Sequence, residues 1–449
     1  MYPRGRWLQV LRRGSSRKWT GRPNRRRRSC RISGILSSPG KRQRRGPEVI
    51  VQKYGGSSVA TPEKIRGVAE RIRQRVDRGE KLVVVVSAMG KTTNSLIALA
   101  EQVSQEPSPR ELDMLLSTGE QMTSALLAMA LCDMGIQALS YNAFQLGMTT
   151  TGGFTNARIM DLNLSKLKTQ LNWRNVLVVT GFQGITPEGD VTTLGRGGSD
   201  TSAVAIAAKC GCRCEIYSDV AGVYTCDPNR CRGARKLEYI TYDEMLELSS
   251  LGAKVLHSRA VEIAKKYSVD LYCASTFSDE RGTHVVNSLP EWLEQPVVSG
   301  VTTDNNQTRV NISRLPRSAS VMSTLFSGLA GKGVNVDMIS TVNENGHSHL
   351  TFTVVDATEK TVLETVRESL APWEGWSVSA DRNVVKVSAV GVGMKSAPGV
   401  AARFFSALDR KGISMLGTTT SEIKISALVS RDEGDEALRA LVEEFGLVE

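Results

Sequence analysis

The stretch Val49-Ile-Val-Gln-Lys-Tyr-Gly-Gly-Ser-Ser58 sets the pattern of the chain: a short apolar run cut off by paired glycines. Pro62 follows and opens a mixed-charge segment, Glu63 to Arg78, with a helical pattern. Proline suits the first helical turn, where its missing N–H costs nothing. Further along, Lys81-Leu-Val-Val-Val-Val86 reads as a second buried strand, with helical segments at Ala98 to Val103 and Glu120 to Leu131. Val176-Leu-Val-Val-Thr180 is a third such run and ends at Gly181; the Ala-rich Ser202 to Lys209 reads as a helix. Glu215-Ile-Tyr217 and Val269 to Ala274 add two short strands. Strands alternating with helices predict an α/β domain on a mainly parallel sheet. In such sheets ligands bind beyond the carboxyl ends of the strands. The glycine-rich turns fall there.

The chain has 449 residues, with 57 Lys+Arg against 46 Asp+Glu. Its longest strongly apolar run, Leu82 to Met89, is far short of the ~20 residues of a membrane helix. Residues 1–46 hold 16 of the basic residues and no acidic one, which leaves the body at net −5. A mildly acidic body gives no electrostatic footprint for nucleic acid, so neither nucleic acid nor membrane is expected as a partner. The leader is too poor in apolar residues to order itself. It reads as a translated upstream extension, an organelle transit peptide, or an arm for RNA or membrane. The first reading places the protein in the cytoplasm; the second places it in a plastid or other organelle.

Eight cysteines include Cys210-Gly-Cys-Arg-Cys214, whose alternation suits a strand; no C-x-x-C pair accompanies it, so reduced structural thiols are expected rather than a metal site. His347 and His349 sit two apart, a spacing that puts both on one face of a strand.

The character changes near Leu289-Pro290, after which runs are shorter and rich in Val, Ser and Thr. An internal repeat follows. Phe326, Ser327, Leu329, Lys332 and Gly333 match Phe405, Ser406, Leu408, Lys411 and Gly412 at an offset of 79. Each copy reads as an amphipathic helix closed by a Lys-Gly cap, with a strand behind it. Two related α+β modules are predicted.

Two segments have the chemistry of phosphate handling. Gly55-Gly56-Ser57-Ser58 lies between a strand and a helix, where glycines admit a phosphate to the backbone amides, and Lys53 is close enough to reach the same oxygens. The turn is not a Walker A loop. Thr192-Thr-Leu-Gly-Arg-Gly-Gly-Ser-Asp-Thr201 is the stronger segment. Arg196 offers a planar fork for a carboxylate or phosphate, Gly197, Gly198 and Ser199 form a second nest, and Asp200 either caps the helix or holds a lysine. Phosphoryl transfer is mostly positioning and charge neutralisation, which these groups supply.

Taken in order, Val51-Gln-Lys-Tyr-Gly-Gly-Ser-Ser58, Ser87-Ala-Met-Gly90, Thr118-Gly-Glu120, Gly181-Phe-Gln-Gly184, Thr193-Leu-Gly-Arg-Gly-Gly-Ser-Asp200 and Ser218-Asp-Val-Ala-Gly-Val-Tyr224 resemble an aspartokinase. Ser249-Ser-Leu-Gly-Ala-Lys-Val-Leu-His257 and Gly393-Met-Lys-Ser-Ala-Pro-Gly399 extend the likeness. The resemblance runs from about Glu48 to the C-terminus. It implies an amino-acid-kinase three-layer α/β/α sandwich over 47–290, followed by tandem α+β ferredoxin-like ACT domains. The first would cover 304–381, inserted into a second made of 291–303 and 382–449. It implies ATP-dependent phosphorylation of the side-chain carboxylate of L-aspartate, with Mg²⁺ held mainly by phosphate oxygens and water.

The resemblance also assigns roles. Lys53 would neutralise the transferred phosphoryl group and Asp200 would orient it. Tyr54, Gly55, Gly56, Ser57, Ser87, Ser218, Asp219, Tyr224, Asp227 and Lys254 would hold ATP. Thr93 and Glu120 would contact aspartate, Glu120 through the ammonium, while Arg196, with Gly197, Gly198 and Ser199, would take the α-carboxylate. Asn335 and Asp337, and Thr420 and Glu422 in the second copy, would hold an effector, expected to be lysine and/or threonine. A homo-oligomer through the ACT domains is implied. The first copy departs from the family at Leu315-Pro-Arg-Ser-Ala319, where the glycine of Ser396-Ala-Pro-Gly-Val400 is missing. On the residues alone, Glu120 reads as an exposed helical acid and Lys254 as a surface lysine. A related kinase with another acceptor, and a non-catalytic amino-acid sensor, are the alternatives; Lys53, Arg196 and Asp200 together speak against the sensor.

Overall fold

The computed structural model describes residues 49–252, 255–290, 292 and 296–449. The basic leader and Lys254 lie outside the described residues.

An eight-stranded sheet organises the first half. Its order is Tyr239–Thr241, Thr283–Val286, Leu271–Ser275, Cys214–Ser218, Val49–Tyr54, Lys81–Val86, Val176–Thr180, Ala138–Tyr141. Every neighbouring pair is parallel except Leu271–Ser275 with Thr283–Val286. The alternation within the Val-rich strand assigns its two faces. Leu82, Val84 and Val86 pack with Ile65, Ile72, Leu127 and Leu131 of helices Pro62–Asp77 and Pro109–Asp133. Val83 and Val85 pack with Val204, Val261 and Ala264 of helices Gly198–Cys210 and Ser258–Tyr267. Helices on both faces make the three-layer sandwich. Each such valine or leucine, fully buried, contributes about 1.5–3 kcal/mol.

Two sequence readings need correction. Cys210-Gly-Cys-Arg-Cys214 is not one strand: Cys210 ends a helix, Gly211 caps it at φ +65°, and the strand begins only at Cys214. The cap wins because glycine adopts the left-handed region without a Cβ penalty. The helix around Glu120 starts at Pro109, not at Glu120, which moves Glu120 from a helix end to its middle. A small sheet of Ile159–Leu162, Met148–Thr150, Gln183–Ile185 and Val191–Thr193, in that order, covers one end of the domain.

Two four-stranded modules follow. The first orders its strands Val336–Glu344, His347–Val355, Gln307–Pro316, Ser377–Asp381, with helices Ala319–Gly331 and Glu359–Leu370. The other orders them Gly300–Asp304, Val384–Val390, Lys424–Ser430, Gly417–Thr420, with helices Val400–Asp409 and Gly434–Glu444. Both are ferredoxin-like sheets. The edge strand Gly300–Asp304 precedes the first module in sequence yet pairs antiparallel with Val384–Val390, after it. Gly333 and Gly412, the repeated helix stops, have φ +70° and +67°.

Candidate active site

Parallel strands bring their carboxyl ends to one edge, and the glycine turns meet there. The turn after Val49–Tyr54 packs backbone against backbone on the turn after Lys81–Val86. The Gly90 N–H donates to Gly56 O at 3.0 Å, and a Cβ on Gly56 would lie 2.9 Å from Ala88 O. Only glycine fits this approach. The Gly55 N–H donates to Tyr217 O at 3.2 Å, which ties in the strand Cys214–Ser218. Gly181 completes the edge: its N–H donates to Val86 O at 3.0 Å, and a Cβ there would lie 2.7 Å from Ser199 Cβ.

Lys53 stands on this edge, level with Val85 and Ile216. Its Nζ lies 2.6 Å from Asp200 Oδ1, and both side chains are nearly buried. Asp200 is in the first turn of helix Gly198–Cys210, which follows Gly197 at φ +71°. The amides of that turn have the positive end of the helix dipole. A paired lysine beside two amide-rich turns can hold the phosphoryl groups of a nucleotide and neutralise their charge.

The other half of the site is built around the buried carboxylate of Glu120 and the exposed guanidinium of Arg196. Glu120 is 3% exposed, not the surface acid of the sequence reading. Oε1 accepts the Ala88 N–H at 2.9 Å, whereas Oε2 is buried without a partner among the described residues. Burial pushes its carboxyl up to about 7, with the Ala88 N–H pulling the other way. An orphaned buried carboxylate oxygen is a receptor for an ammonium. Gly119 permits the approach, since a Cβ there would meet Ala88 Cβ at 2.9 Å. Thr93 lies half-buried in the first turn of helix Thr92–Val103, near the same loop. Arg196 is exposed at the loop tip before Gly197.

Asp219, Tyr224 and Asp227 line a cavity of about 590 Å³ together with Gly252, Val255 and Thr303. Ser218 holds the turn above it, its Oγ accepting the Val220 N–H at 3.3 Å. Ser57 and Ser87 are half-buried at the two strand-end turns. Tyr54 needs correcting as a nucleotide contact. Its ring is fully buried, stacked on Tyr217 at 5.1 Å, with its hydroxyl donating to Gln52 Oε1. Its side chain belongs to the core, because the strand alternation turns it away from Lys53.

Three residues given no role from sequence belong to this region. The His257 backbone N–H donates to Asp200 Oδ2 at 3.3 Å, and its ring fills the space where a Gly197 Cβ would be. Burial lowers the imidazole's pKa from its ordinary value, with the Asp200 charge pulling the other way. Asp113 and Arg259 hold the loop of Arg196 by hydrogen bonds to Thr193 and Leu194. His257 was visible as the end of the Ser249–His257 match; nothing in the sequence pattern marked the other two.

The expected effector residues lie on the C-terminal modules. Asp337 is ion-paired with Lys386 of the other module, whose side chain is 3% exposed. A ligand ammonium at Asp337 would share its carboxylate with this lysine. Ser318, in the departing loop, caps helix Ala319–Gly331 by accepting the Ser320 N–H. Asn335 is exposed. Thr420 and Glu422 line a cavity of about 420 Å³ with Lys395, Gly399 and Val400; Glu422 pairs with Lys395 at 2.7 Å.

This fold and this site define an amino acid kinase with a regulatory module. Residues 48–275 match the amino acid kinase family, and residues 387–445 match the ACT domain. The aspartokinase of Bacillus sp. (strain MGA3) is 46% identical over 405 residues, covering 89% of this chain and 97% of that protein. The aspartokinase of Mycobacterium tuberculosis is 45% identical over 407 residues, covering 89% and 96%. Among solved structures, aspartate kinase from Synechocystis is 41% identical, with a TM-score of 0.51, covering 89% of this chain and 69% of that one. Aspartokinase III of E. coli, in complex with aspartate and ADP, shares the fold at a TM-score of 0.75 and 24% identity, covering 88% and 99%. The chain belongs to the aspartokinase family.

Proposed function

We propose that this protein transfers the γ-phosphoryl group of ATP to the side-chain carboxylate of L-aspartate, giving 4-phospho-L-aspartate, the first step toward lysine, threonine and methionine. The observation that carries the reading is the pairing of Lys53 with Asp200 at 2.6 Å, together with a buried carboxylate, Glu120, one of whose oxygens has no partner among the described residues.

The acceptor carboxylate is already ionised at neutral pH, so no strong base is needed. Lys53 neutralises the phosphoryl group in flight, and Asp200 holds the lysine in place. The amides of Gly55, Gly56 and Ser57 cradle the phosphates. Ser87, Ser218, Asp219, Tyr224 and Asp227 line the nucleotide side, and Lys254 follows from the family pattern. Glu120 takes the aspartate ammonium with help from Thr93, and Arg196 takes the α-carboxylate over Gly197, Gly198 and Ser199. Mg²⁺, as the likeness to the family implies, would be held mainly by phosphate oxygens and water. When bound, the ion would screen the triphosphate charge.

The regulatory reading has three parts. Residues 304–381 form a first ACT domain, inserted into a second built from 291–303 and 382–449. Lysine and/or threonine inhibit through them; aspartokinase III of E. coli has been crystallised in complex with lysine and aspartate. Asn335 and Asp337, or Thr420 and Glu422, contact the effector, and the ACT domains pair copies of the chain into a dimer or larger assembly. The enzyme works in the cytoplasm, as expected of its bacterial relatives.

The test is ADP release by the protein with ATP and Mg²⁺ on aspartate, glutamate and N-acetylglutamate in parallel. Turnover on aspartate alone is expected. Equal or better turnover on another acceptor overturns the assignment.

A further inference from the structure

We infer that Asp113 and Arg259 form an opposed clamp that presets Arg196 for the substrate α-carboxylate. The inference rests on the reading of Arg196 given above and adds two positioning residues to it.

Arg196 sits at the tip of the loop after strand Val191–Thr193, exposed and without a side-chain bond of its own to fix it among the described residues. What fixes the loop is a second segment, Thr155 to Ala157. The Ala157 N–H donates to Thr193 O at 2.9 Å. Gly195 packs so closely on this segment that a Cβ would lie 3.1 Å from Thr155 O and from Asn156 Oδ1. Two charged side chains grip the pair from opposite sides of its hydrogen-bonding capacity.

Asp113, fully buried, serves the donors. Its Oδ2 accepts the N–H of Thr155 and the N–H of Thr193, both at 2.8 Å, and its Oδ1 accepts the Thr193 hydroxyl at 2.5 Å. Arg259 serves the acceptors. Its guanidinium donates to Leu194 O at 2.9 Å and to Ala157 O at 2.7 Å. Among the described residues neither has an ion-pair partner: Arg259 bonds backbone carbonyls, and Asp113 bonds backbone amides and one hydroxyl. Thr155 has φ +64°, a conformation a β-branched residue avoids, and Asp113 holds it there through its amide. Asp113 also lies two helical turns before Glu120 on the same helix, Pro109–Asp133. One helix therefore carries the ammonium receptor and fixes the loop of the carboxylate receptor, so the distance between the two is set by a rigid element. A receptor displaced by 1 Å can cost ~100-fold in rate.

The experiment uses the full chain and two acceptors, L-aspartate and its α-amide, L-isoasparagine, which keeps the ammonium and the β-carboxylate but lacks the α-carboxylate. Unsubstituted enzyme is expected to prefer aspartate in kcat/KM by about tenfold or more, the worth of a charged hydrogen bond. Asp113→Ala is expected to raise the KM for aspartate and collapse that preference toward one, with the KM for ATP unchanged within about twofold. Thr193→Val, which removes one hydroxyl at constant shape, and Arg259→Lys, which keeps the charge but loses the fork, are expected to shift the preference the same way by less. These milder variants carry the test if Asp113→Ala does not fold. An unchanged preference in folded variants overturns the clamp. Absence of any preference in the unsubstituted enzyme overturns the Arg196 reading, and the clamp falls with it.

Discussion

Lys53 and Asp200 come from segments 147 residues apart and meet at 2.6 Å, one at the end of a sheet strand and the other in the first turn of a helix. The strand's β-branched neighbours and the glycine before the helix exist in the sequence for packing and chain reversal; together they aim an ammonium at the amide-rich edge. Lys53→Ala removes that charge. We predict a fall in kcat of about 10²–10³-fold, the usual cost of losing one preorganised charge-stabilising group, with an unaltered circular dichroism spectrum. Activity near the starting level would remove the role given to Lys53.

Glu120 is expected to control the pH dependence of aspartate binding. Its carboxyl is pushed up to about 7, and an ammonium receptor must be ionised. The KM for aspartate should rise as pH falls below about 7, and the rise should vanish in Glu120→Gln, whose KM is high throughout. Stability follows the opposite sign. The folded value lies above the ordinary one near 4.5, so the neutral form is favoured in the ligand-free fold. This contribution is complete below about pH 4.5 and is lost as pH rises through 7. At pH 8 Glu120→Gln should therefore be more stable than the parent by about 2–3 kcal/mol. Thermal melts at pH 5 and pH 8 measure the difference; a gap that does not widen with pH contradicts the assignment.

Gly197 and His257 should be coupled. A Cβ on Gly197 would lie 2.2 Å from His257 Cγ, and the backbone there is at φ +71°. Gly197→Ala should destabilise the protein by about 1–3 kcal/mol and raise the KM for aspartate. Adding His257→Ala should recover part of the loss by removing the collision. A double mutant no better than Gly197→Ala would mean that the backbone angle alone sets the cost.

The rim of the cavity at Asp227, proposed to hold the nucleotide, is bound to the C-terminal module. The loop after Asp227 turns back so that the Arg230 guanidinium pairs with Asp435 and bonds Thr303, while Cys226 and Cys231 pack in that module's core. Asp435→Ala, 61% exposed at its side chain, should free Arg230 from the C-terminal module and weaken inhibition by the effector. Dose-response curves with lysine and threonine measure this. Equilibrium dialysis in which neither amino acid binds would remove the regulatory reading altogether.

Much of the fold could be read from local pattern. Continuous β-branched runs such as Lys81–Val86 are strands because both faces are buried, and paired glycines mark their ends. The small sheet escaped notice because its strands have three or four residues, too few to show a period. Lys53, Arg196 and Asp200 were legible because they stand next to glycines whose only use is close backbone approach. Glu120 looked exposed because acids on helices usually are, and its burial depends on Gly119 letting Ala88 come close. Asp113 and Arg259 were invisible for a related reason: they bond main-chain groups of distant segments, and main-chain groups leave no trace in a sequence. Tyr54 misled because it lies inside a ligand-binding run while its ring faces the core.

The central claim is transfer of a phosphoryl group to the β-carboxylate of aspartate. The most direct measurement traps the product with hydroxylamine in the presence of ATP and Mg²⁺ and identifies the hydroxamate. The account predicts aspartate β-hydroxamate, formed with one ADP per trapped acyl group and lost in Lys53→Ala. No hydroxamate from folded protein that still binds aspartate, or a hydroxamate of glutamate or N-acetylglutamate in its place, would contradict it.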